Sequence, residues 1–250
     1  MKIVLLTALG VGGATMIGAV LGFFIKNISQ KFSDLILSFA AGVMLAAAVI
    51  GLVIPSLDHG NNLPVTVAGI FCGALCLNWM DKVVPHLHHM TGVKEEAHPA
   101  NTAQLNKVLL FVMAIAIHNL PEGIAAGVGF GTGNTGEAIT IAAGIALQNI
   151  PEGMVIIAPM LAAGMSRGRT LVAALLTGVV EVFGTLLGYF AVSLSSAILP
   201  FALAFAGGTM LYVISDEMIP ETHANGEERG ATYMLLAGFC LMLAMSHYLE

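Results

Sequence analysis

The chain is 250 residues long, 57% apolar and only 10% charged, with 9 Lys+Arg against 15 Asp+Glu. That charge density is less than half the roughly 25% usual in soluble domains and excludes a soluble globule. A formal charge of -6 without any basic cluster cannot neutralise a row of phosphates, so nucleic acid is excluded as a partner.

Apolar runs of about 20 residues, each long enough for a hydrocarbon core of roughly 30 Å, recur along the whole chain. Interruptions by polar, Pro and Gly clusters predict eight spans, at about 3–25, 34–55, 63–81, 107–130, 137–160, 170–193, 197–218 and 230–249. The first follows a single basic residue, Lys2, and is longer than a signal-peptide core, so it is expected to stay as a span. All eight are predicted to be helices, because the segments are too long and too uniformly apolar for barrel strands. The expected fold is therefore an all-α polytopic membrane protein, a single integral membrane domain over 1–250 with a His-containing connection at 82–106.

Lys and Arg near span ends stay on the cytoplasmic side. Lys26 and Lys31 lie between spans 1 and 2, Lys82, Lys94 and Lys107 around the third connection, Arg167 and Arg169 between spans 5 and 6, and Arg229 before span 8. The alternate connections carry none, which predicts both termini outside. Cys72 and Cys76 are one helical turn apart and Cys240 is alone. They make no disulfide framework and read as small lipid-phase residues. Glycine pairs four apart, Gly18/Gly22, Gly69/Gly73, Gly123/Gly127 and Gly184/Gly188, fit close helix packing.

Charge inside a span is the anomaly that carries chemistry. An ionised residue at the bilayer centre costs about 2.5–3.5 kcal/mol even on the lenient insertion scale, yet span 4 holds Glu122, span 5 Glu152 and span 6 Glu181. Spans 4 and 5 repeat one phrase at a separation of 30 residues: His118-Asn119-Leu120-Pro121-Glu122-Gly123 and Gln148-Asn149-Ile150-Pro151-Glu152-Gly153. In each, the first polar residue and the Glu stand at i and i+4, and the Asn and Glu at i and i+3, so the polar side chains converge on one helical face. His118, Gln148 and Glu181 each lie 11 residues beyond the start of their span, a depth of roughly 16 Å, near the middle of the hydrocarbon. Pro121 and Pro151 remove the usual donors for the carbonyls of Ile117 and Leu147, which suggests broken helices lining a polar cavity.

Carboxylates, an imidazole and amide oxygens at one level suit a divalent cation: imidazole favours Zn, Fe or Ni, and oxygen ligands extend the range toward Mn and Cd. Hydrogen bonding between helices is the plainer reading of any one of these residues, but it does not require three carboxylates. An intramembrane zinc hydrolase is the rival from another class; HExxH is absent, and no feature announces an open metal position beside a substrate groove.

With these residues in place, the sequence resembles the ZIP (Zrt/Irt-like) family of divalent metal transporters, particularly its short bacterial members, over the whole chain. The paired HNxPEG and QNxPEG phrases carry the resemblance. It implies a carrier rather than an enzyme, residing in a bacterial inner membrane, that takes up Zn2+ and with it Cd2+, Fe2+ and Mn2+, without an organic cofactor. It further implies a binuclear transport site, one position using His118, Glu122, Gln148 and Glu152 with Met44 of span 2 nearby, the other Asn119, Glu122, Asn149, Glu152 and Glu181. Many members have His where this chain has Gln148. An elevator-like movement of spans 1, 4, 5 and 6 against 2, 3, 7 and 8 is also implied.

Topology then suggests the mouths of the pathway. Asp58 and His59 follow span 2 on the outer side, where Asp58 matches a family entry position; Asp216, Glu217, Glu221 and His223 sit at the inner end of span 7, with Asp81 near the membrane. His86, His88, His89 and His98 form a cytoplasmic loop suited to weak metal capture. Expected partners are divalent ions and membrane lipid, with a homodimer left open. Ligation must displace any protons the site holds, so binding is expected to be proton-linked.

Overall fold

The structure, a computed structural model, describes residues 1–24, 29–60, 62–83, 100–162, 164–226 and 228–249, and their side chains except those of 81, 83 and 100–114. Among the described residues the backbone is helical apart from short connections, without strands. Eight long helices run in chain order: α1 (Lys2–Phe24), α2 (Gln30–Gly60), α3 (Leu63–Val83), α4 (Ala100–Gly129), α5 (Thr135–Ala162), α6 (Arg167–Leu194), α7 (Ser196–His223) and α8 (Glu228–Leu249). Seven are long and apolar enough over their described residues to cross a bilayer. The eighth, α4, has 30 residues, above the roughly 20 that a span requires. The chain is an integral membrane protein.

Helix starts follow local capping chemistry. Ser29 Oγ accepts from the Phe32 amide at 3.2 Å, Asn134 Oδ1 from the Gly136 amide at 2.9 Å and Ser166 Oγ from the Arg169 amide at 3.4 Å, each satisfying an N–H that has no partner within its helix. Gly133, with φ +79°, ends the short turn after α4 in the left-handed region that glycine enters at little cost.

Three features differ from the sequence expectation. Prolines 121 and 151 lie inside continuous helices. Each removes one ladder bond, but the fixed φ of proline is helical, and packed neighbours hold the turn in place. The helix of α5 breaks only later, between Val155 and Ile157. Second, α2 and α7 extend past their apolar runs, the latter through Glu221 to His223, since a span end at the interface stays helical without being apolar. Third, π-helical turns interrupt α2 at Ala47–Val53 and α7 at Ile214–Met218.

The helices pack as two groups. In one, α4 lies along α6, α1 along both α5 and α6, and α5 beside α4; in the other, α3 lies along α7 and α2 along α8 and α7. Within each group glycines bring backbones together. A Cβ at Gly123 or Gly127 would strike the carbonyls of Glu181 or Thr185, one at Gly18 that of Ile150, and one at Gly73 that of Phe205. Between the groups the meeting is by side chain: Gly51 of α2 faces Ile141 of α5, and Gly144 of α5 faces Met242 of α8. An apolar seam containing Met44, Leu52, Ala125, Ile141, Ile145, Leu203 and Met210 joins them.

Polarity is inverted relative to a soluble protein. Leu6, Phe71, Trp79 and Phe183 face outward at 69%, 65%, 66% and 63% exposure, while Gln148 and Glu181 are wholly buried. Lipid is the solvent this surface fits.

Candidate metal site

Four helices of the first group converge on the Glu181 carboxylate. Thr15 Oγ1 of α1 donates to Oε1 at 2.6 Å, Asn119 Nδ2 of α4 donates to the same oxygen, and Asn149 Nδ2 of α5 donates to Oε2 at 2.6 Å. Glu181 can sit this close to α4 because Gly123 presents no side chain to its backbone. One turn along, Gln148 Nε2 donates to Glu122 Oε1 at 2.9 Å, joining the two repeated phrases directly. Glu152 is an electrostatic neighbour of Glu122, Glu181 and His118. The sequence-predicted residues of spans 4, 5 and 6 therefore form one connected cluster.

With the amide nitrogens turned onto carboxylates, the remaining oxygens are left over. Glu122 Oε2, Gln148 Oε1, Asn149 Oδ1 and Glu152 Oε1 are buried and accept no hydrogen bond among the described residues. An unsatisfied buried polar group costs about 1–3 kcal/mol, and all four of these atoms are acceptors. A positive charge meets that need without further protein donors. Among the described residues, no three His, Cys, Asp or Glu side chains stand together closely enough to hold an ion by themselves; the cluster mixes carboxylates with amides.

His118 Nε2 lies 3.0 Å from Glu217 Oε1, linking α4 to the π-turn of α7 across the boundary between the groups. Glu217, one of the residues expected at the inner end of span 7, is thereby brought to the cluster. Asp216 and Glu221 stand exposed on the same helix end, and His223 is engaged elsewhere, its Nδ1 2.9 Å from the Ile219 carbonyl oxygen and its Nε2 3.2 Å from Thr232 Oγ1. Asp58 and His59 are exposed at the outer end of α2, where His59 Nε2 lies 3.4 Å from the Thr132 carbonyl oxygen. Met44 is buried in the apolar seam. Asp81 falls in the last turn of α3, its side chain outside the described residues, as are His86, His88, His89 and His98 altogether. Cys72 and Cys240 are exposed on the outer surfaces of α3 and α8 and carry no disulfide.

Thr15 is the member that sequence reasoning missed. Thr66, Thr140, Thr177, Thr185 and Thr209 are also buried in spans, so a lone hydroxyl in an apolar run carries no distinguishing signal.

Comparison with known proteins shows the family. The sequence profile described as ZIP Zinc transporter matches residues 85–246. The chain is 41% identical over 249 residues to the zinc transporter GufA of Myxococcus xanthus, covering 96% of each. It is 37% identical over 238 residues to the zinc transporter ZIPB of Bordetella bronchiseptica, covering 92% of this chain and 76% of that one. Identity to the zinc transporter ZupT of Chlorobaculum parvum is 37% over 246 residues, covering 92% and 91%. The chain belongs to the ZIP family of zinc transporters.

Proposed function

We propose that this protein takes up Zn2+, and with it Cd2+, Fe2+ and Mn2+, into the cytoplasm through a site at mid-depth on α4, α5 and α6. One observation carries the reading: four buried oxygens, two from the carboxyls of Glu122 and Glu152 and two from the amides of Gln148 and Asn149, have no donor among the described residues. The relatives, each named a zinc transporter, favour Zn2+ as cargo.

In this reading the donor set serves two ions. The first uses His118, Glu122, Gln148 and Glu152, with Met44 approaching from α2. The second uses Asn119, Glu122, Asn149, Glu152 and Glu181; Asn149 already leaves its Oδ1 without a donor, whereas Asn119 presents nitrogen to Glu181 and must rotate its amide, since only the oxygen can ligate. Without a thiolate, the set is suited to an ion that must leave again.

Movement is supported by the packing. Within each helix group backbones interlock at glycines, whereas between groups side chains meet, so the weaker boundary lies between α1, α4, α5, α6 and α2, α3, α7, α8. Sliding along that seam would carry the site across the membrane as an elevator. The test is uptake by proteoliposomes presented with Zn, Cd, Fe, Mn and Co. A Glu122→Gln variant that transports all of them at the wild-type rate would sink the assignment.

A further inference from the structure

Outside the cluster just described, the largest departure from satisfied polar burial is at the inner end of α2. Asp34 is wholly buried, and so is Ser38 one helical turn deeper. Asp34 Oδ1 accepts from Gln30 Nε2 at 2.8 Å and from Asn225 Nδ2 at 3.3 Å, both exposed residues at the inner surface. Its second oxygen, Oδ2, has no partner among the described residues, nor has Ser38 Oγ. At i and i+4 the two share a helix face. A carboxylate is rarely buried without a cation or a full set of donors. A serine in a helix ordinarily returns its hydroxyl to a backbone carbonyl, as the threonines Thr185 and Thr222 do here, so Ser38 is also anomalous.

This face belongs to the half of α2 that packs against the π-turn Ile214–Met218 and against Ile219–His223. The π-turn carries Glu217, already 3.0 Å from His118. The segment of α2 that carries Asp34 and Ser38 thus packs against the segment of α7 that carries Glu217, and Asp34 ends beneath two surface amides, Gln30 and Asn225. The lower donor pair contains no imidazole. Oxygen ligands alone hold a borderline ion such as Zn2+ less tightly than a set with nitrogen, which is the order of affinities that release requires.

We infer that Asp34 and Ser38 form an oxygen-donor subsite for the transported divalent cation, occupied between Glu217 and the cytoplasm. The inference rests on the transport reading above, but its ion is separate from the mid-depth ions and can be counted separately.

The full-length protein, purified in detergent and equilibrated with Cd2+, supplies the count. In an E122Q/E181Q background, which removes carboxylates from the upper cluster, a Cd2+ ion is expected to remain bound. Adding D34N, whose amide oxygen still accepts from Gln30 and Asn225, should abolish that ion. Adding S38A instead should weaken it by about tenfold or more, the low end of what losing a supporting group costs a metal site. Ser38 Oγ makes no hydrogen bond among the described residues, so S38A removes nothing structural, and a purely architectural role for this turn predicts unchanged binding and unchanged Cd2+ uptake. Wild-type ion counts in both variants overturn the inference, as does a D34N transport defect with the ion count intact, which would make Asp34 a brace for the α7–α8 turn. If instead E122Q transports normally while D34N loses its ion, the mid-depth assignment fails and the subsite stands.

Discussion

Gln148 Nε2 donates to Glu122 Oε1 at 2.9 Å, so two polar positions of a repeated six-residue phrase meet across two helices. The contact fixes which oxygens are left over. It uses one carboxylate oxygen and the amide nitrogen, leaving Glu122 Oε2 and Gln148 Oε1 as buried acceptors.

Replacing Glu122 by Gln keeps the shape of that contact and removes the charge. Zn2+ uptake in proteoliposomes should fall by at least about tenfold, equivalent to roughly 1.4 kcal/mol, with a normal melting profile. Cys240→Ala, on the exposed face of α8, should transport as the parent does.

Metal binding should strengthen as pH rises. The imidazole of His118 and the carboxyls of Glu122, Glu152 and Glu181 ligate only when deprotonated, so each bound ion displaces whatever protons they hold. Titration calorimetry in buffers of different ionisation enthalpy would measure the released protons. A binding constant unchanged between acid and neutral pH would contradict the ligand set.

Thr15→Val removes the hydroxyl that supports Glu181 and leaves an isosteric methyl. We expect a loss of roughly 1–3 kcal/mol in stability, read from thermal unfolding, together with weaker binding of the second ion. Thr15→Ser should restore both, whereas a packing role for the methyl would be restored by Val and not by Ser.

Gly123→Ala should be disproportionately harmful for one added methyl. Its Cβ would meet the Glu181 carbonyl, a backbone atom that cannot turn aside, at a cost of about 1–3 kcal/mol. Gly10→Ala, with nothing within 4 Å of the added carbon, is the matched control and should be neutral.

Relative movement of the two helix groups can be arrested at the seam. A Cβ at Gly51 of α2 lies 3.9 Å from the Cβ of Ile141 in α5, inside the range of roughly 3.5–4.5 Å that a disulfide spans. Gly51→Cys with Ile141→Cys, in a chain whose native cysteines are replaced, should stop Zn2+ uptake on oxidation and recover it on reduction. Undiminished uptake by the crosslinked protein would refute the elevator.

Much of the fold and the cluster is legible in the amino-acid sequence because membranes make strong demands. Each span must be apolar for about 20 residues, which locates the eight helices, and each carboxylate in oil stands out against that background, which locates Glu122, Glu152 and Glu181. What escapes is local geometry. A π-turn is one extra residue in a helix and leaves no mark on composition, so Ala47–Val53 and Ile214–Met218 cannot be read. Pro121 and Pro151 read as breaks, because sequence records the lost donor but not the neighbouring helices that keep the turn. Thr15 and Ser38 are ordinary small residues until their surroundings are known. Asp34 stands at the very start of the apolar run of span 2, where a carboxylate reads as an interfacial residue in water and nothing signals that it is buried with Asn225 of the following α7–α8 turn against it.

The molecule holds a single tryptophan, and Trp79 is 66% exposed on α3, in the group that would stand still during transport. Its indole should be quenched by brominated acyl chains and give a fluorescence signal free of any other emitter of its kind. That emission reports the bilayer around α3, so a dye placed on α5 can report any displacement of the other helix group against an internal reference.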